Sequence, residues 1–140
     1  MNKNFAKSFI EEANRLIDAG KFLEAGELLT NTTSGHGPAW THEVETLHRE
    51  PADYEENELA IELNIILLKT ANALRGGITS GDMKSLWLTV LCLNKLGKAA
   101  PKGMINKLLD DVDRYSKVYA FKYGEMYRLV SFLPVVSYYH

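Results

Sequence analysis

The sequence holds a single cysteine, Cys92, so no disulfide can form within the chain. Set inside LWLTVLCLNKL, its thiol is expected to lie buried as a small hydrophobe rather than to react. Long apolar runs are also missing. Ile65 to Leu68 falls far short of the roughly 20 residues that a membrane-crossing helix needs. The opening MNKNFAKSFIEEANRL has no uninterrupted apolar stretch, so no signal peptide is expected and the cytoplasm is the expected compartment. Alternation of apolar and polar residues is confined to a few positions near the C-terminus, which argues against a sheet-based fold.

Reaction motifs are lacking too. SGHGP places His36 between glycines, but no strand precedes it and no lysine follows, so it does not read as a phosphate cradle. HEVETLH sets His42 and His48 six residues apart, about 240° around a helix, so they cannot share one metal from one face. Glu45 stands three residues from each and leaves a His–Glu chelating pair as the sharper alternative to plain surface histidines. No serine or cysteine sits in a recognisable nucleophile setting. No catalytic residue, cofactor or metal is expected, and the chain reads as a non-enzyme.

What is present is helical periodicity. The 140 residues, 46% hydrophobic and 24% charged, suit one soluble globular domain over 1–140 that buries roughly two thirds of its unfolded surface. Phe5, Phe9, Ala13, Leu16 and Ile17 recur at helical spacing, Asn2 or Asn4 can cap, and Gly20 ends the helix. GKFLEAGELLTN turns and starts a second, short helix, and TNTTSGHGP is a loop by composition. Pro38 suits the first turn of a third helix, PAWTHEVETLHRE, closed by Pro51. A fourth, capped by Asp53, is expected from about Glu55 to Arg75, stopping at Gly76-Gly77. From Leu59 on, apolar residues cover nearly its whole circumference, as in a central buried helix. A fifth is capped between Thr79 and Asp82 and ends at Gly97, with Leu67 and Leu91 expected among the core residues of this pair. Pro101 opens a sixth that reaches about Ala120. EMYRLVSFL after Gly124 suggests a last short helix ended by Pro134, and VVSYYH an extended tail. The expected fold is all-α, a single compact bundle of six or seven helices with an N-terminal helical hairpin.

Within that hairpin, ANRLIDAGKFLEAGELLTN resembles the middle of a tetratricopeptide repeat through Ala13, Leu16, Gly20, Phe22 and Ala25. The resemblance implies two antiparallel helices held by small and aromatic side chains. It covers residues 5–34 alone, and no second copy follows at the repeat's spacing of about 34 residues.

Charge is unevenly spread. Residues 1–68 carry 5 Lys/Arg against 13 Asp/Glu, a net of −8, and residues 69–140 carry 11 against 5, a net of +6. EPADYEENELAIE sets six carboxylates within thirteen residues at the head of the fourth helix. The helix dipole favours Asp53, Glu55 and Glu56 in the first turn. Glu58 and Glu62 lie beyond it. Glu55, Glu58 and Glu62 share one stripe with no Lys or Arg within four residues to follow, so either the basic C-terminal half or an external basic surface must cover it. Glu43, Glu45 and Glu50 widen the patch if the third and fourth helices pack side by side.

The second charged feature is a strip in which Tyr115, Tyr119, Tyr123 and Tyr127 alternate with Arg114, Lys117, Lys122 and Arg128. Such a strip can stack on single-stranded nucleic acid, or pack on the core with a solvated cationic rim. The acidic half and the sequence pI near 6.1 disfavour nucleic acid. The expected function is therefore that of a small acidic-faced protein-binding module for a basic partner. Glu43, Glu45, Glu50, Asp53, Glu55, Glu58 and Glu62 form the expected contact set. Its profile resembles the immunity proteins, antitoxin-type inhibitors that dock basic nuclease toxins. The alternative is a nucleic-acid-binding or regulatory helical protein acting through residues 114–128.

Overall fold

The computed structural model describes residues 3–31 and 40–119. Six α-helices follow one another: α1 (Lys3–Asp18), α2 (Phe22–Leu29), α3 (His42–Arg49), α4 (Tyr54–Thr79), α5 (Met83–Leu96) and α6 (Lys102–Tyr119). A single 3-10 turn, Gly97–Ala99, links the last two. No strand occurs among the described residues. The chain is an all-α bundle. The expected helix after Gly124 and the tail beyond it lie outside the described residues, as do the side chains of Tyr115, Tyr119 and Lys117.

The bundle is organised around α4, which packs against all five other helices and most extensively along α5. Leu59, Leu63, Ile66, Leu67, Ala71, Leu74 and Ile78 form its inward face, and Leu86, Leu88, Val90, Cys92 and Leu93 are apolar residues buried along α5. Phe9, Ala13 and Leu16 of α1 and Ala25 and Leu29 of α2 close the core on the hairpin side. Gly20, at φ +75°, turns the chain between those two helices, and the Phe22 ring is half-buried. Cys92 is buried, and desolvation pushes its thiol up to about 12, so it stays protonated at neutral pH.

Two boundaries and one pattern of burial differ from the sequence expectation. The third helix starts at His42, not at Pro38, because Thr41 caps it: its hydroxyl accepts the Val44 N–H at 3.3 Å. Trp40 thus precedes the helix. The fourth helix runs past Gly76 and Gly77 to Thr79 and stops at Ser80-Gly81, where Gly81 adopts φ +88°. Gly77 serves packing instead: a Cβ there would stand 2.1 Å from Ser85 Oγ, so its absence lets α4 and α5 meet closely just before the turn. Asp82 caps α5, accepting the Lys84 N–H at 3.0 Å and the Ser85 hydroxyl at 2.7 Å.

The third difference concerns burial on α4. Its apolar residues do not all face inward: Ile61 is 50% and Ile65 47% exposed, and Tyr54 is exposed beside them. Five neighbouring helices surround the rest of its circumference and leave this strip open.

Candidate functional site

The carboxylates at the head of α4 divide into three groups once the helices are assembled. Asp53 and Glu56 finish the helix end. Asp53 Oδ1 accepts the Glu56 N–H at 2.9 Å, and Glu56 Oε1 reaches back to the Ala52 N–H at 3.2 Å. This reciprocal arrangement satisfies backbone donors that the first turn leaves orphaned.

Asp53 and Glu55 also hold α1. Lys3 Nζ lies 2.7 Å from Asp53 Oδ2 and 3.5 Å from Glu55, and Lys7 Nζ lies 2.7 Å from Glu55 Oε1. Among the described residues, the cations that meet Glu55 of the stripe therefore come from the acidic N-terminal half, Lys3 and Lys7 one helical turn apart on α1. Two lysines four residues apart at the start of the chain were the sequence signal for this clamp.

Both carboxyls titrate below the ordinary range. Lys3's hydrogen bond is the main cause at Asp53, followed by the Glu56 N–H; at Glu55 it is the Lys7 hydrogen bond, then the charges of Lys7 and Lys3. Lys3 in turn is held above its usual value, chiefly by Asp53. A lowered carboxyl stabilises the fold fully above the unfolded-state range, and that contribution fades as pH falls through the folded value. Amides at the start of α1 and α4 should accordingly lose hydrogen-exchange protection below about pH 4, ahead of those in α5. Simultaneous loss of protection in all three helices would show that the clamp does not hold the N-terminus.

Glu58 and Glu62 form the third group. Both are exposed, and neither has an ion pair or hydrogen bond among the described residues. Glu43 and Glu50, at the two ends of α3, are likewise exposed. Since α3 packs against α4, the two acidic segments do lie side by side.

Glu45 behaves differently. Its carboxylate accepts the Trp40 indole N–H, pairs with Arg49 at 3.1 Å and lies 3.8 Å from Lys95. Lys95 Nζ sits 4.3 Å above the Trp40 ring, a cation–π contact. Desolvation holds the Lys95 ammonium below its ordinary value, opposed mainly by Glu45. Phe9 and His48 meet the same indole edge to face, at 6.0 and 5.2 Å between ring centres. His48 Nε2 is 2.6 Å from Asn64 Oδ1, while His42 is exposed. Asn31, in the left-handed region at φ +58°, exchanges two hydrogen bonds with the Trp40 backbone, at 2.7 and 2.8 Å. Glu45 and its partners thus lock the segment before α3 onto α1 and α5.

Trp40 and Lys95 carry that lock, and sequence periodicity did not mark either. Beside it lies a cleft of about 730 Å3 whose lining includes Arg49, Lys95 and Lys98 together with Glu45 and Glu50, so neither sign of charge dominates. No three His, Cys, Asp or Glu side chains among the described residues converge as a metal site. His36 and most of the Tyr-Lys/Arg strip, from Lys122 to Arg128, fall outside the described residues, whereas Arg114 is exposed on α6. No described helix is long and apolar enough to cross a membrane. Set against protein-family models, curated proteins and solved structures, the chain matches none of them.

Proposed function

We propose that this protein is a small, non-enzymatic binding module whose acidic face on α3 and α4 docks a basic protein, in the manner of an immunity or antitoxin-type inhibitor of a nuclease-like toxin acting in the cytoplasm. One observation supports this most directly. Asp53, Glu55 and Glu45 are committed to contacts within the fold, yet Glu58 and Glu62, four residues apart on one exposed face, have no cation among the described residues. Like charges at that spacing cost a few tenths of a kcal/mol, which a cationic partner would recover on binding. Glu43 and Glu50 extend the same sign of potential onto the adjoining helix.

The test is capture of partners from the native host, followed by binding kinetics with Glu58→Gln and Glu62→Gln combined. Glu55 stays unchanged in that variant, because its loss would also release Lys7. Slower association is expected, together with a weaker salt dependence than the parent shows, since exposed charges steer the encounter. Affinity and on-rate equal to the parent's would remove the acidic face as the docking site.

A further inference from the structure

We propose that the exposed strip of α4 receives a basic amphipathic helix, seating the partner's apolar side chains on Tyr54, Ile61 and Ile65 and its Lys or Arg residues on Glu58 and Glu62. This rests on the acidic-face reading and adds the form of the partner. Positions 54, 58, 61 and 65 are separated by four, three and four residues, so they lie in one line along α4. At 1.5 Å per residue that line is about 16 Å long, enough for some three turns of a second helix laid along it.

The strip is apolar and, among the described residues, left open. Tyr54 is 77% exposed and the two isoleucines about half exposed, and a β-branched residue at an open helix position is a poorer helix former than Ala, Lys or Glu. Its borders are polar and fixed. On the α1 side runs the Lys7–Glu55 pair, and on the α3 side the His48–Asn64 contact. An apolar patch with a polar rim is the usual make-up of a protein-docking surface.

The occupant's class follows from backbone and charge. The interior of a helix has its N–H and C=O groups already paired, so α4 offers no edge for a strand to extend, and recognition must run through side chains. Glu58 and Glu62 flank Ile61 with negative charge, while Lys69, exposed one turn beyond Ile65, ends the acidic segment. A partner helix must therefore carry cations beside its apolar stripe, concentrated at the end that lies over Glu58.

The probe is a synthetic helix of about five turns built from leucine and lysine, with leucines at i, i+3, i+4 and i+7. Two controls accompany it, an isomer with the leucines dispersed around the helix and a counterpart with glutamate in place of lysine. Calorimetry and amide shift mapping are done on the full chain. The amphipathic lysine peptide should bind, become helical and shift amides between 54 and 65. Both controls should bind at least about tenfold more weakly. Ile61→Ser with Ile65→Ser should weaken the lysine peptide by roughly tenfold or more while the protein still folds and melts cooperatively.

If Glu58→Gln with Glu62→Gln weakens binding but the serine variant does not, the helix docking proposed here is wrong and the acidic face stands. If neither variant matters, both fall. Failure of the lysine peptide to bind, or equal binding of the dispersed isomer or the glutamate counterpart, also overturns the proposal.

Discussion

Replacing Leu67 with alanine should destabilise the protein by about 2–5 kcal/mol. Leu67 is fully buried on the inward face of α4, the helix that touches every other one. Truncation removes transfer free energy and leaves a cavity that five packed neighbours cannot all close. Leu91, which helical periodicity marks equally, is only half-buried on α5, so Leu91→Ala should cost less. Urea denaturation of both variants at constant m-value separates them. A loss below about 1 kcal/mol for Leu67→Ala would mean that α4 is not the centre of the core.

The second large effect comes from two adjacent glycines and should differ in sign between them. Gly76 is exposed, and a Cβ added there meets nothing within 4 Å. Gly76→Ala should stabilise the protein by about 0.5–1 kcal/mol, because alanine loses less backbone entropy in a helix. At Gly77 the added Cβ falls 2.1 Å from Ser85 Oγ and 2.6 Å from Ser85 Cβ. Ser85 is buried and its hydroxyl donates to Asp82, the residue that caps α5, so it cannot move aside without loosening that cap. Gly77→Ala should therefore lose about 1–3 kcal/mol in spite of the better helix former. Thermal unfolding of the two variants side by side decides the matter. Equal stabilisation by both would show that α4 and α5 do not approach closely at this point.

Gly76 and Gly77 also illustrate why a helix end is hard to place from sequence. Two consecutive glycines look like a terminus because they lower helix propensity, yet here the second gives α4 and α5 room to touch, and the helix continues to Thr79 before the turn at Gly81. Propensity is local. The contact that overrides it belongs to a residue eight positions on.

The sequence by itself determined the helical class, the turn at Gly20, the Asp53 cap and the ends of α5, because periodicity and capping are written within a few residues of where they act. Burial around α4 was decided by the assembly. A run apolar on all sides reads as central, but Ile61 and Ile65 point outward because five helices do not enclose the full circumference. The fate of each carboxylate was likewise tertiary. Asp53 and Glu55 meet lysines some fifty residues away on α1, Glu45 meets an indole and Lys95, and Glu58 and Glu62 meet no cation among the described residues. Spacing along a chain shows which charges share a face. Which of them a distant helix neutralises depends on where that helix docks.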